Sequence, residues 1–373
     1  MGFFSLLAEL RTTAPLVYPK PDVKDRLQQL KYISRALLFP AETARWFEIL
    51  SKQPFKTLAN RRPHMRSRLQ RPYLTCDLST AKKIEVLEHH YAFLATHLRY
   101  EILLNICDGT PTQLATLRLD DSETLGLALR FSVFDREGEL SISLRSETTG
   151  EWICSLGFTV VHWSADRREI LIGGLQGHDF TDEKQRIVSM TRGMRGMRPK
   201  ALVLFTLQQL SIAWKTTSLK AVSNSRHIYR SFWKRKDVAA DYDTFWRESG
   251  GEISTDGLFT LPVIPGVRNI AEIKPNKRSM YRQRYAMLDS LVSPFRNPQT
   301  TWKKPFEKPS VAVANQTGLR SVPRPFVLHD EQPAPRKDGD RPCFGGLKKL
   351  FPLNNPRLVL LCKKAHKLTG LPK

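Results

Sequence analysis

The chain has 373 residues, 41% of them hydrophobic, and a formal net charge of +23 at pH 7. That length and apolar content suffice for a buried core and exclude a wholly disordered chain, while so large a basic excess favours polyanions as partners: nucleic acid, an anionic lipid surface, lipopolysaccharide or phosphorylated small molecules. The five cysteines are scattered, with no CxxC pair and no histidine at zinc-ligand spacing, which excludes a zinc module and reads as reduced thiols, and no run approaches the roughly 20 apolar residues that span a bilayer.

The start, MGFFSLLAELR, carries no basic residue before its apolar patch, and Glu9 interrupts it, so it reads as an amphipathic helix start and not as a signal peptide. Residues 1–120 read as a helical region, because ETARWFEIL and AKKIEVLEHHYAFLATHL repeat apolar residues at helical spacing. Between those helices lies ANRRPHMRSRLQRPYL, with Arg61, Arg62, Arg66, Arg68 and Arg71; its prolines break a helix, which predicts a basic loop. His89 and His90 precede Tyr91 on the second helix, one of them facing the core.

Residues 121–297 change period and form the predicted α/β core. LGLALRFSVFD, GELSISLRS, EWICSLGFTVVHW and REILIGGLQG are four short runs separated by the turn-like REG, ETTG and SADR, which predicts an antiparallel meander. Gly173 and Gly174 fall inside the fourth strand, where paired glycines mark either a bulge or a place where a ligand lies against the backbone. PKALVLFTLQQLSIAW follows as a buried helix with Pro199 in its first turn and Val203, Leu207, Leu210 and Trp214 on one face. LKAVSN is then a short strand, HIYRSFW a turn or helix, and residues 269–292 a basic helix interrupted near Pro275.

From about residue 298 the periodicity is lost. Ten of the 24 prolines lie at or beyond Pro305, and residues 310–373 hold 12 Lys or Arg against 4 Asp or Glu. Residues 298–373 are expected to be a disordered basic tail, with LVLLCKKAHKL able to form a short amphipathic helix on a partner.

TRGMRGMRPK, residues 191–200, precedes the buried helix. A helix start offers free N–H groups and the positive end of its dipole to a phosphate, glycines admit close approach, and Arg192, Arg195 and Arg198 could clamp oxygens. No P-loop GK[ST] is present. If the stretch is instead helical, the three arginines fall near one face and meet solvent or acidic neighbours. His162, His178, His227 and Tyr229 stand on or after strands, yet no GxSxG, HExxH or dinucleotide fingerprint accompanies them. The aromatics Tyr281, Tyr285, Phe295 and Trp302 within basic stretches keep nucleic acid open as a partner, without a helix-turn-helix or RNA-binding signature.

RPYL at 71–74, HHY at 89–91, IGGLQG at 172–177, RPK at 198–200, AVSNSRHIYRSFW at 221–233, YDTFWRESGG at 242–251 and KRSMYRQRY at 277–285, in this order, resemble the bacterial VirK/YbjX proteins over residues 30–292. The resemblance implies a factor linked to virulence, stress response and resistance to cationic antimicrobial peptides, and it brings no catalytic residues. The reduced thiols and the lack of a spanning run, not the resemblance, give the expectation of a cytoplasmic protein or one peripheral at the inner membrane. A second likeness is to the order of elements in GNAT-type acyl-CoA N-acyltransferases. It implies an α+β fold, mainly antiparallel and flanked by helices. It also implies acyl-CoA as cofactor, its pyrophosphate at Arg195, Gly196 and Arg198, and Tyr229 as the acid. Arg192, Gly173 and Gly174 are further cofactor-binding candidates read from the residues, and His178 a further catalytic candidate. About 20 residues separate IGGLQG from RPK where that fold has a short loop, and no carboxylate stands out as a base.

Overall fold

The structure, a computed structural model, describes residues 2–119, 123–164, 167–178, 182–230 and 241–296. The expected tail at 298–373, its LVLLCKKAHKL segment, Trp302 and the SFW of HIYRSFW lie outside the described residues.

Six helices come first: α1 (Phe3–Val17), α2 (Val23–Leu38), α3 (Pro40–Ser51), α4 (Phe55–Arg61), α5 (Thr80–His97) and α6 (Tyr100–Cys107). Local chemistry sets their starts. The Asp22 carboxylate accepts the Asp25 N–H at 2.7 Å, the Ser79 hydroxyl accepts the Lys82 N–H at 3.3 Å, and Pro40 opens α3, where its missing N–H costs nothing. On α5, Ile84, Leu87, Tyr91 and Leu94 recur at helical spacing and are buried in the same core as the sheet.

The sheet has eight strands among the described residues: β1 (Thr112–Arg118), β2 (Thr124–Phe131), β3 (Leu140–Ser146), β4 (Trp152–Ser164), β5 (Arg167–Gly177), β6 (Ser218–Val222), β7 (Glu252–Ile253) and β8 (Leu258–Leu261), in the order β1-β2-β3-β4-β5-β6-β8-β7. The mixed α/β class and the antiparallel meander of β2–β5 are as the alternation predicts. Residues 112–118, expected within the helical region, are instead a strand: Leu114 and Leu117 are buried, and a bulge between Gln113 and Ala115 hides their alternation.

One pair departs from the antiparallel rule. β5 and β6 run parallel, from Glu169 opposite Ser218 to Ile172 opposite Ala221, and there their pairing stops. Parallel neighbours need a long crossover, here α7 (Glu183–Gly193) and α8 (Pro199–Ala213). α8 is buried around most of its circumference, and Trp214 just beyond it lies 6.3 Å from the ring of Phe158 on β4. A crossover helix runs against its strands, so α8 begins at the carboxyl ends of β5 and β6. In open α/β sheets ligands gather at those ends. After β6 come α9 (Tyr242–Glu248), the β7–β8 hairpin, a single 3₁₀ turn at Ile270–Glu272, and α10 (Pro275–Arg296), which starts at the proline expected to interrupt it.

Candidate functional site

The connection between β2 and β3, residues 132–139, folds back over the sheet because three carboxylates in it find buried partners. Arg68 Nε lies 2.8 Å from Glu139 Oε1, and Arg68 Nη1 donates to the Asp135 carbonyl at 2.8 Å. Arg71 Nη1 meets the Asp135 carboxylate at 2.8 Å, and the Tyr91 hydroxyl donates to Glu139. Tyr73 shares a hydrogen bond with Thr159 at 2.8 Å, and the Leu74 N–H donates to the Arg136 carbonyl at 2.8 Å. Burial works against the Arg68 charge, but Glu139 and Asp135 outweigh it and hold its pKa above the usual arginine value. Within residues 59–74, expected as a basic loop, Arg68 turns inward. Arg68 is 3% exposed and clamps the 132–139 connection.

The clamp delivers Glu137 onto β5. A Cβ at Gly173 would stand 2.1 Å from the Glu137 carbonyl oxygen, and one at Gly174 would stand 1.9 Å from Glu137 Oε2. Gly173 is also the extra residue where β5 slips against β4, between Gly174 opposite Gly157 and Ile172 opposite Phe158. The two glycines thus admit the chain's own loop. The reading of Gly173 and Gly174 as a bed for a cofactor arm is corrected: on that face the space is filled by Glu137.

Glu137 is 1% exposed and His227 is fully buried, with His227 Nε2 3.5 Å from Glu137 Oε1. Gln176 donates its amide to the same Oε1. Burial raises the Glu137 carboxyl above its ordinary value, against the pull of His227 and Gln176. The Tyr229 N–H donates to His227 Nδ1 at 3.4 Å, which places the ring proton on Nε2, toward the carboxyl. The His227 ring stacks on Tyr242 at 5.0 Å and lies 5.1 Å from Tyr229. Tyr229 is half-buried and hydrogen-bonded to Gln176; burial, and next the charge of Glu137, raise its pKa, so the phenol keeps its proton at neutral pH. Tyr229 and Gln176 are the members of this cluster that reach solvent.

Beyond Gly173 the edge of β5 no longer pairs with β6. There the Leu175 N–H donates to the Tyr242 hydroxyl at 3.4 Å, while Trp246 Nε1 donates to the Val222 carbonyl at 2.8 Å. Asn224 straps α9 down, accepting the Tyr242 N–H at 3.0 Å. His178 stands two residues beyond Gln176, bonded through Nε2 to Ser155 Oγ at 2.8 Å and stacked on Phe134 of the 132–139 connection. Ser155 in turn meets Ser143 at 2.7 Å. Since Ser155 pairs with Gln176, these hydroxyls, His178 and the Glu137 cluster share one sheet face.

TRGMRGMRPK lies on the α8 side and is a helix stop. The Gly196 N–H returns to the Thr191 carbonyl at 2.7 Å and the Arg195 N–H to the Arg192 carbonyl at 2.9 Å, with Arg195 at φ 55° and Gly196 at φ 80°. That is a Schellman ending for α7. Met194 and Met197 also bond back to carbonyls of this turn, so the amides of residues 194–197 are spent. The Arg195 carbonyl accepts two bonds from Arg284 of α10, at 2.9 and 2.6 Å, and Arg198 meets Glu248 at 3.2 Å. The amides of the 194–197 turn are therefore closed to a phosphate. Arg192 is helical and Arg195 and Arg198 are not, so the three share no helix face, and Gly196 serves the turn. Phe295, one of the aromatics within the basic stretches, is 6% exposed and packed in the core.

Glu137, Gln176 and Tyr242 escaped the sequence reading. The available signal was Asp135, Glu137 and Glu139 at alternate positions between two apolar strands of a basic chain. Among the described residues, no helix is long and apolar enough to cross a membrane.

The motifs RPYL, HHY, IGGLQG, AVSNSRHIYR and YDTFW thus meet around one connection and one carboxyl. The family model described as a protein of unknown function, DUF535, matches residues 21–296. The chain is 33% identical over 266 residues to the "Uncharacterized protein YbjX" of Escherichia coli K12, covering 70% of this chain and 80% of that protein. Two proteins of Haemophilus influenzae, each called "Uncharacterized protein", are 31% and 28% identical over 42% and 46% of this chain, which spans only 56% and 57% of their lengths. The chain belongs to the VirK/YbjX family, DUF535.

Proposed function

We propose that the chain is an enzyme whose acid–base centre is Glu137, His227 and Tyr229, and that the reaction is acyl transfer to an amine. The observation that carries this reading is the buried Glu137–His227 pair beside a half-exposed tyrosine at the carboxyl ends of the parallel strands. A carboxyl and an imidazole sharing one proton can accept the proton of an attacking amine, and a phenol that stays protonated can donate one to a leaving thiolate. The order of elements is that of GNAT-type acyltransferases, a fold-level analogy that bears on reaction class only through these residues. Two features depart from that fold: α7 fills the crossover, and the Tyr242 hydroxyl takes the Leu175 N–H. Phosphates of an acyl-CoA would meet the side chains of Arg192 and Arg195, not the amides of the loop. His178, held by Ser155, would line the acceptor side.

The physiological setting we propose is the one the family resemblance implies, a bacterial factor supporting virulence, stress response and survival of cationic antimicrobial peptides. Titrating short- and long-chain acyl-CoA into the full chain by calorimetry, beside Glu137→Gln and Tyr229→Phe, tests the chemistry. Binding by all three proteins with turnover lost in both variants is the expected result. Absence of acyl-CoA binding in the wild type removes acyl transfer from consideration.

A further inference from the structure

Helix α2 carries two apolar faces, and the fold uses one. Its inner face is Tyr32 and Ala36, both buried, with Ile33 and Leu37 packed beside them. Its outer face is Val23, Leu27, Leu30 and Leu38, exposed by 74%, 50%, 64% and 37%, with Ser34 between them. At 3.6 residues per turn these five positions fall within an arc of about 80°. A continuous apolar stripe along a whole helix is unlike the singly scattered leucines of an ordinary surface. Phe39, at the end of α2, continues it at 44% exposure. α1 and α2 form an antiparallel hairpin in which Thr13 meets Tyr32, so Phe3 and Phe4, 56% and 84% exposed, lie toward that same end.

The stripe is rimmed by cations. On the helical wheel Arg26 borders one side, and Lys24, Lys31 and Arg35 border the other. The single acidic residue of the helix, Asp25, points inward of these and accepts the Lys20 N–H at 2.9 Å. An apolar stripe between two basic rims is the pattern of a helix lying in the plane of a membrane interface. A nucleic acid would engage the rims and leave the stripe in water. A second copy across a two-fold axis would bring cations against cations.

We propose that α2 docks on an anionic lipid surface, with Leu27 and Leu30 among the acyl chains and Lys24, Arg26, Lys31 and Arg35 at the headgroups. Flotation of the full chain with phosphatidylcholine vesicles, with and without phosphatidylglycerol, measures the affinity. Leu27→Gln with Leu30→Gln leaves the net charge untouched, so it separates this surface from general basic attraction, and glutamine is a good helix former. Because half of each leucine is exposed, the pair should lower affinity for anionic vesicles at least about tenfold, with thermal unfolding and DNA binding unchanged. Leu30→Trp in the full chain should show a blue shift of its added emission on anionic vesicles. Wild-type vesicle affinity in the double glutamine variant overturns the proposal, as does a tryptophan at 30 that stays water-like. A fall in molecular mass by light scattering with vesicle affinity retained would instead assign the stripe to a second copy.

Discussion

The carbonyl oxygen of Glu137 occupies the place where Gly173 would carry a side chain, 2.1 Å from its ideal Cβ. Neither partner can yield cheaply, since one is a strand backbone within the sheet and the other a connection pinned by Arg68. Gly173→Ala should destabilise the protein by about 3 kcal/mol or more, at the upper end of overpacking costs, and Gly174→Ala, which meets only the Glu137 side chain, should cost less. Urea unfolding checks this. A loss within about 1 kcal/mol at Gly173 would mean that the connection does not rest on β5.

Glu137 has a stability cost that function would explain. Its folded pKa is raised by burial, so the folded state holds the proton more tightly than the unfolded chain. The stability this proton brings is complete below the unfolded carboxyl range and is lost as pH rises through the raised folded value. Glu137→Gln should therefore be more stable than wild type at pH 7, by on the order of 1 kcal/mol. The two curves should converge in acid. A lower melting temperature for the variant at neutral pH would mark Glu137 as a structural clamp and not an acid–base group.

Arg68 is the opposite case. Its pairing with Glu139 is fully buried, and removing the guanidinium leaves the Glu139 carboxylate without a cation, whereas Asp135 keeps Arg71. Arg68→Met should cost about 3–5 kcal/mol, and Glu139→Leu added to it should recover a large part. A double-mutant cycle by chemical denaturation reads the coupling; additive losses would mean that the pair contributes nothing.

His90 makes the fold acid-sensitive. Burial, and next the Arg68 charge, depress its pKa to about 3, and its Nδ1 accepts the Val160 N–H at 3.1 Å. The unfolded chain binds this proton first, so stability is lost as pH falls below the ordinary histidine value, by about 2 kcal/mol at pH 5. His90→Gln keeps an acceptor and cannot titrate. Its stability curve between pH 6.5 and 5 should be flatter than that of the wild type by about 1.5 kcal/mol.

Composition also predicts a boundary. The Pro-rich, basic sequence past residue 298 lacks periodicity, and the family match ends at residue 296. We expect protease to release this segment and a chain ending at residue 297 to unfold cooperatively at the wild-type temperature. Loss of cooperativity in the shortened chain would place the segment in the fold.

Local pattern made the four meander strands and the helices α3, α5 and α8 legible, because their side chains alternate or recur around a single buried face. β1 escaped because a bulge breaks its alternation, and β7 because it has two residues. Tyr229 and the glycine pair were visible as residues that a plain strand or turn does not require. Glu137 was not, since it reads as part of an ordinary turn until Arg68 and Tyr73 of the 59–74 segment and Tyr91 of α5 fold that turn over the sheet. Long-range pairing of this kind leaves no periodicity. The arginines of TRGMRGMRPK left two readings open, because glycine and charge before a helix serve a phosphate and a helix stop alike.

The β5–β6 parallel junction also orders events in time. The β2–β5 meander joins neighbours through short turns, whereas β5 meets β6 only after the whole α7–α8 crossover has closed, and His227 lies beyond that closure. Contacts of low sequence separation form early, and those across a long crossover form late. Glu137 should thus remain hydrated at the folding barrier and lose its water only on the descent to the native state. Replacing it with glutamine would then leave the refolding rate unchanged and slow unfolding, which makes the carboxyl a determinant of how long each folded molecule lasts.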